Sequence, residues 1–357
     1  MSNNKLYSIN MLRFIAASFV LLSHIENKVH QYNILSLEWY RFRGPGVDIF
    51  FVMSGFIICL TTAKKNITPI KFLKGRMQRI LPLYWFFTTV ALCIFLYNPD
   101  LINMSGGYTN IVASYLLIPG EHKFLVQNGW TLSYDVYFYI IFALSLYFFR
   151  NKINYIALIA VLTFLPAVGI LVLNLDKVFF FNVILLEYAL GICAYLIYIE
   201  CNLNFMLNII LILLGTAFIF FQNIFNVFET GFGRALDRGV PAFLCVVGVI
   251  GLESFFKNHY HKFVNILDRL GNTSYSIYLS HPFILVIGTK LYISYYFFQN
   301  LNFALFLYVI CIFIGYYVNK FIEVPLNRAV KNSFKSNSIW ILKIADSNPK
   351  CNTFVVS

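Results

Sequence analysis

Long apolar runs, separated by short polar stretches, make up most of the chain. A helix that crosses a bilayer needs about 20 mostly apolar residues, and about ten runs come close to that length. The pattern predicts an all-α fold, a polytopic bundle of about ten transmembrane helices. The expected spans are 8–26, 46–63, 80–97, 131–149, 153–173, 179–199, 204–222, 239–256, 274–297 and 303–322.

The polar stretches between these runs carry cations unevenly. With the N-terminus in the cytoplasm, the stretches 64–79, 150–152 and 257–269 and the C-terminal tail face inward, and they hold most of the lysines and arginines. Because cytoplasmic loops are enriched in positive residues, we expect both termini to be cytoplasmic. The outward stretches carry mainly Lys28, Arg41, Arg43, Lys123, Arg234 and Arg238.

Composition favours a membrane protein and excludes a soluble one. Hydrophobic residues make up 59% of the 357 residues and charged residues 12%, and the mean hydropathy is +0.72. Soluble domains carry about twice that charge. A net charge of +12 would suggest nucleic-acid binding in a soluble protein. Here it follows from the positive inner loops, so we expect no nucleic-acid partner.

The first apolar run contains Arg13 and ends at His24 without a small-residue cleavage site. It predicts a retained helix rather than a signal peptide, in an integral, multi-pass protein of the cell (inner) membrane. The seven cysteines form no CxxC pair, and six of them lie in or beside apolar runs, as small packing residues do. The sequence therefore predicts neither a metal site nor a disulfide.

Ionisable residues inside a bilayer are costly, so each is a candidate functional residue. Arg13 and His24 lie 11 residues apart on the first helix, which projects them from nearly one face, about 16 Å apart along the axis. In the expected orientation His24 lies near the outer end. A neutral imidazole there suits a general base. The alternative is an interfacial histidine with a snorkelling arginine.

Two further motifs lie at the two ends of the bundle. Asp48 begins the second span at the outer side, where it could orient the imidazole of His24 or simply interact with a helix dipole. Arg76 and Arg79 share a helix face at the inner boundary. Their guanidinium groups suit the phosphates of a coenzyme A thioester, and the alternative is an ordinary inner anchor.

Three more polar residues lie within later spans. Asp135, in the outer third of the fourth span, would be expensive without a partner, and a buried arginine or histidine is the expected one. Glu187, deep in the sixth span, raises the same question. His281 is expected a few residues inside the ninth span, near its cytoplasmic end. It is either a hydrogen-bonded histidine beside a kink at Pro282 or part of the site.

Taken together, these segments resemble the acyltransferase-3 family of bacterial membrane acyltransferases, in family order over nearly the whole chain. The family usually has glutamate where Asp135 stands, so the carboxylate is kept on a shorter side chain. The matching motifs are Arg-x10-His at 13–24, Gly-Val-Asp-x-Phe-Phe-x-x-Ser-Gly-Phe at 46–56, Arg-x-x-Arg-Ile-x-Pro-x-Tyr at 76–84, the Trp-x-Leu stretch at 130–132, Glu-x-x-x-Gly at 187–191, Arg-Gly-Val-Pro-Ala at 238–242, Ser-Tyr-x-x-Tyr-Leu-x-His at 274–281 and Glu-Val-Pro at 323–325.

The resemblance implies transfer of an acyl group, usually acetyl from acetyl-CoA, to a hydroxyl of an extracytoplasmic or lipid-linked carbohydrate. Acetyl-CoA is then a co-substrate, and no tightly bound cofactor is expected. The resemblance also implies a transmembrane domain over 1–325, a short basic cytoplasmic tail over 326–357 and no SGNH-type esterase domain. The expected roles are catalytic for His24, Asp48 and Arg13, donor-binding for Arg76 and Arg79, and supporting for Asp135, Glu187 and His281.

Two other functions compete with this interpretation. A transporter or flippase of a lipid-linked sugar often has repeat symmetry or paired broken helices, and the sequence has neither. A glycan polymerase would favour a larger outward loop with paired carboxylates or arginines, whereas 98–130 offers only Asp100 and Glu121. We expect the acceptor to contact the outward stretches 27–45, 98–130 and 223–238. None of them carries a motif that identifies the acceptor.

Overall fold

The described residues form a bundle of helices with a single isolated β-bridge, between Thr109 and Lys123. The computed structural model describes residues 6–32, 44–63, 67–102, 107–148, 152–173, 175, 178–225, 231–259, 262–295 and 302–333. The helices are α1 (Tyr7–Gln31), α2 (Gly46–Thr62), α3 (Pro69–Tyr97), α4 (Pro99–Ile102), α5 (Ile111–Leu116), α6 (Gly129–Phe148), α7 (Lys152–Leu171), α8 (Ile184–Glu200), α9 (Phe205–Phe225), α10 (Gly231–Arg234), α11 (Val240–Gly251), α12 (Glu253–Asn258), α13 (Lys262–Ser294) and α14 (Phe303–Val318).

The lengths of these helices fit a membrane protein. Within the described part of the chain, seven helices are long and apolar enough to cross a bilayer, and shorter apolar helices cover Gly46–Thr62 and, within α9, Phe205–Phe221. The protein is therefore an integral membrane protein. Each of the ten predicted spans overlaps a helix, whereas the number of crossings and the side of the termini stay predictions.

Two helices begin well before the predicted apolar segments. The third was expected from residue 80, but α3 begins at Pro69, where the hydroxyl of Thr68 accepts a hydrogen bond from the amide of Lys71. An N-cap followed by proline is a strong helix start, so hydropathy alone misplaced this boundary. The ninth was expected from residue 274, but α13 begins at Lys262 and its first turns are polar.

The C-terminal helix also extends beyond its predicted end at residue 322. A π-helical turn over Asn319–Glu323 follows α14, and the helix continues to Ser333. The predicted tail over 326–357 therefore begins inside a helix. Its residues from 334 onward lie outside the described residues.

Apolar side chains cover the outside of the bundle as well as its interior. Phe164, Phe220 and Phe313 are each more than half exposed, while Phe56 and Phe138 are fully buried. Such an outer surface would be unfavourable in water, but lipid tails can cover it. Membrane lipids are thus the natural surroundings of these helices.

Polar contacts fix the N-terminal end of α1. The amide and hydroxyl of Ser8 both donate to the carboxylate of Glu253 on α12, at 2.9 and 2.6 Å. Two residues later, the side-chain amide nitrogen of Asn10 donates to Asp268 on α13 over 2.8 Å. These buried bonds satisfy groups at the start of α1 and align it with α13, so residues far apart in sequence come together.

The helices α2 and α8 approach closely where two glycines face each other. A Cβ atom added to Gly55 would lie 2.4 Å from the carbonyl oxygen of Tyr188, and one added to Gly191 would lie 2.1 Å from that of Val52. Small residues allow such close backbone packing in membranes. The contact holds the preceding turns of both helices, which carry two buried carboxylates, at one level.

Replacing Gly191 with alanine should therefore separate α2 and α8. We expect Gly191→Ala to lower the free energy of unfolding by about 1–3 kcal/mol or more, seen as a lower thermal midpoint in detergent. Gly75→Ala on α3 is the matched control, because nothing lies within 4 Å of its added Cβ atom. Alanine suits a helix better than glycine, so Gly75→Ala should be neutral or slightly stabilising. Equal midpoints for both variants would contradict the close contact.

Candidate active site

A first cavity, of about 120 Å³, gathers four of the predicted site residues. Arg13 on α1, Arg76 and Arg79 on α3 and Asp135 on α6 all line it. The sequence placed the two α3 arginines at one end of the bundle, and the structure adds Arg13 and Asp135 to the same space. Three cations with one carboxylate favour an anionic ligand.

Hydrogen bonds and a ring contact orient the polar side chains that line this cavity. The guanidinium of Arg76 donates to the hydroxyl of Thr61 over 2.7 Å and lies 5.4 Å from the centre of the Phe72 ring. The hydroxyl of Tyr188 donates to Asp135 over 2.9 Å. Asp135 was expected to pair with an arginine or histidine, but its hydrogen-bond partners here are the hydroxyls of Tyr188 and Ser54. Arg76 and Arg79 are only within electrostatic range.

Arg13 lies beside the closing Glu-Val-Pro motif. It is within electrostatic range of Arg79 and of Glu323. The carboxylate of Glu323 accepts hydrogen bonds from the hydroxyl of Ser276 at 2.6 Å and the amide of Asn319 at 2.8 Å. The last motif of the chain therefore lies within electrostatic range of the first, and Glu323 partly balances the positive charge of Arg13.

A second cavity, of about 800 Å³, lies at the other end of α1, α3 and α13. His24 lines it, together with Lys28 one turn later on the same helix, Trp130 at the start of α6 and Lys290 near the end of α13. Its volume is within the usual range of small-molecule sites, about 300–1,000 Å³. The structure thus separates Arg13 and His24 into two cavities, although both project from one helix.

The imidazole of His24 packs against that of His281, with ring centres 4.9 Å apart and planes tilted by 49°. His281 was expected near the cytoplasmic end of its helix. It lies in the middle of α13 instead, because that helix begins at Lys262. The helix also continues through Pro282, so the histidine is a neighbour of His24 rather than part of a helix end.

One contact of His281 is to a backbone carbonyl of its own helix. Its Nδ1 lies 3.1 Å from the carbonyl oxygen of Ile277. The Nε2 atom is buried, and no group in the described part of the chain hydrogen-bonds to it. His281 therefore presents a buried ring nitrogen without a hydrogen-bond partner on a ring that packs against His24.

A thin polar wall separates the two cavities. Trp130 lines the second cavity and Thr131 the first, while Tyr278 lines the first and Pro282 the second. The hydroxyls of Thr131 and Tyr278 are hydrogen-bonded at 2.5 Å, and the amide of Asn128 donates to the carbonyl of Tyr278. Since Tyr278 and Pro282 are four residues apart, about one turn, the wall is about 6 Å thick along α13.

Asp48 does not pair with His24 in the structure. Its carboxylate accepts from Arg234 at 2.7 Å, and the same guanidinium donates to Glu187 at 2.6 Å. The hypothesis that Asp48 orients His24 is therefore replaced by a buried triad of Asp48, Arg234 and Glu187. Glu187 lies in the first turn of α8 rather than deep in the span, and the arginine that reaches it ends α10.

Sequence reasoning missed three residues of this arrangement. Arg234 was counted only as an outward cation, although two carboxylates in nearby spans required a positive partner, and that charge balance could have identified it. Thr131 and Tyr278 belong to the motifs at 130–132 and 274–281, but burying an uncharged hydroxyl costs too little to mark either residue as functional. Their contact, 147 residues apart in the chain, is visible only in the fold.

Comparisons with known proteins agree with these motifs. The acyltransferase-3 family model, described as an acyltransferase domain, matches residues 6–320. The "Exopolysaccharide production protein ExoZ" of Rhizobium meliloti (strain 1021) is 29% identical over 265 residues, which cover 69% of this chain and 77% of that protein. No solved structure matches the chain.

The family match covers most of the chain and includes every motif that lines the two cavities. It favours an enzyme over the transporter and polymerase interpretations. This protein belongs to the acyltransferase-3 family and is an integral membrane acyltransferase.

Proposed function

We propose that the protein is a membrane O-acetyltransferase that moves an acetyl group from cytoplasmic acetyl-CoA to a hydroxyl of a cell-surface carbohydrate. One observation carries the proposal: α1 supplies a cation to one cavity and an imidazole to another, and a wall about one helical turn thick separates them. We place the arginine cavity on the cytoplasmic side, with ten spans and both termini inside. The excess of cations in the inward stretches supports that orientation.

The first cavity is the site of the donor. Its volume of about 120 Å³ suits a narrow thioester arm and not a whole nucleotide, so the nucleotide phosphates would stay at the mouth. Arg79 is exposed and Arg76 half-buried, which places them where such phosphates would arrive. Arg13 is deeper along α1 and can stabilise negative charge on the thioester oxygen.

The acetyl group then crosses the polar wall. The bonded hydroxyls of Thr131 and Tyr278 close the direct route, so the thioester must displace or pass them to reach His24. His24 takes the proton of the acceptor hydroxyl, whose oxygen attacks the carbonyl carbon. The carbon–sulfur bond breaks, and coenzyme A leaves as a thiol after protonation. His281 positions the ring of His24 by packing against it.

The second cavity is the site of the acceptor. Its larger volume, its aromatic Trp130 and the amides of Gln31 and Gln127 suit a sugar, whose rings stack and whose hydroxyls hydrogen-bond. The relative from Rhizobium meliloti is an exopolysaccharide production protein, which supports a glycan as the substrate class. The acceptor that we propose for this chain is an exopolysaccharide, O-antigen or similar glycan.

The decisive test is transfer by the purified protein. In proteoliposomes that contain acetyl-CoA, the protein should release coenzyme A only when a glycan acceptor is present, and mass spectrometry should detect the acetyl ester on the glycan. A flippase would move a glycan without consuming acetyl-CoA. Acceptor movement without acetylation would therefore overturn the proposal.

The two arginines of α3 should control donor affinity. A hydrogen bond to a charged group is worth about 1.5–3 kcal/mol, so Arg76→Ala and Arg79→Ala should each raise the dissociation constant of acetyl-CoA by about tenfold or more. Lys71→Ala is the control, because this exposed cation lies on the same helix but does not line the cavity. Isothermal titration would show the difference, and unchanged affinity in both arginine variants would exclude the docking site.

A further inference from the structure

The second cavity has a positive lining that the proposed reaction does not require. Lys28 comes from α1, Lys123 from the segment before α6 and Lys290 from α13. No aspartate or glutamate is among the described residues that line this cavity. Three cations from three separate segments therefore surround the space in which His24 acts.

The backbone holds these lysines at the cavity. Lys123 is fixed on both sides, because its amide donates to the carbonyl of Tyr108 at 2.9 Å and its carbonyl accepts from Asn110 at 3.2 Å. Lys28 and Lys290 are on the helices α1 and α13, and the ammonium of Lys28 donates to Gln31 over 2.8 Å. Their convergence is a property of the fold, not of flexible tails.

Membrane topology does not account for this cluster. In the proposed orientation the second cavity is on the outer side, where positive residues are depleted in membrane proteins. Of the nearby acidic residues that the structure describes, Glu26 contacts His30 at 3.7 Å and Glu121 is exposed, and neither lines the cavity. A ligand with the opposite charge is the simplest reason for lysines at this place.

We infer that the acceptor presents an oxyanion to these lysines while its hydroxyl reaches His24. The inference rests on the proposed function and narrows its substrate class. Carboxylate and phosphate oxygens pair equally well with ammonium groups. The anion is therefore either the carboxylate of an acidic sugar or the diphosphate that joins a glycan to its carrier lipid.

Three acceptors with matched sugars separate these possibilities: a galacturonate trisaccharide, a galactose trisaccharide and the same galactose trisaccharide on a polyprenyl diphosphate. We measure binding to the full-length protein in nanodiscs without acetyl-CoA, and then acetylation with it. At least one of the two anionic acceptors should bind about tenfold more tightly than the free neutral one, the equivalent of one charge-assisted contact. Its advantage should shrink as salt is added.

Variants test whether the lysines are responsible. Lys28→Gln and Lys290→Gln should each weaken binding of the anionic acceptor more than binding of the neutral acceptor, so the advantage of the anionic acceptor should disappear. Lys28→Arg and Lys290→Arg keep the charge and should keep the advantage. An equal loss for neutral and anionic acceptors in the glutamine variants would indicate general damage to the cavity and overturn the inference.

The outcomes also separate this inference from the proposed function. Selective binding of an anionic acceptor without any acetylation would refute the acetyl transfer and leave the inference intact. Acetylation of all three acceptors, bound with equal affinity, would refute the inference and leave the acetyl transfer intact. If neither anionic acceptor binds better than the neutral one, the inference is wrong.

Discussion

Replacing His24 with alanine should reduce glycan acetylation by about 10²–10⁴-fold, the usual contribution of a general base. His24 lines the acceptor cavity and its ring packs on His281, so the substitution removes the imidazole without exposing an ion pair. The thermal midpoint and the amount of protein in the membrane should change little. The measurement is the rate of acetyl-ester formation per molecule of purified protein.

His30→Ala is the matched control. It is on the same helix, does not line the cavity and contacts Glu26 instead, so its acetylation rate should stay near that of the unaltered protein. Undiminished acetylation by His24→Ala would exclude the proposed role. Incubating the unaltered protein with labelled acetyl-CoA alone would show whether His24 carries the acetyl group, because a covalent label should then be lost in His24→Ala.

Removing Arg234 should have the largest effect on stability. The side chains of Asp48 and Glu187 are 3% and 0% exposed, and that of Arg234 is 17% exposed. Breaking a buried ion pair from one side leaves uncompensated charge and costs about 3–5 kcal/mol. Arg234→Ala should therefore lower the thermal midpoint in detergent strongly and reduce the amount of protein in the membrane.

A charge-free version of the triad tests this explanation. Combining Arg234→Met with Asp48→Asn and Glu187→Gln removes all three charges, so most of the lost stability should return. Arg238→Ala, one turn away, is the control for a cation that forms no part of the triad, and its midpoint should be nearly unchanged. If Arg234→Ala unfolds at the temperature of the unaltered protein, the triad does not stabilise the bundle.

The sequence predicted which residues belong to the site better than it predicted which of them contact each other. Arg13, Arg76, Arg79 and His24 were identified because each is a costly group within or beside an apolar run, and all four line a cavity. The partner assigned to Asp48 was wrong. The depth of a residue along a span can be read from the sequence, but the direction in which its side chain faces within the bundle cannot. In the structure, the side chain of Asp48 faces Arg234.

The prediction of the helix boundaries failed for a related reason. The stretch from Lys262 to residue 273 is too polar to read as a span, yet α13 includes it, because Asp268 bonds to Asn10 and Gly271 packs against the backbone of Asn10. Hydropathy counts each polar residue as exposed. A polar residue with a buried partner does not follow that rule, and its helix then extends further than the pattern predicts.

The sequence alone determined that the chain is a helical membrane protein and which of its ionisable residues are expensive to bury, because the bilayer selects residues by their own polarity. Only the tertiary structure decided that Arg13 and His24 open into two cavities, that His281 joins His24, and that Arg234 joins two carboxylates. These pairings depend on helix packing between segments far apart in the chain, such as α1 with α13. Local polarity carries no information about such neighbours.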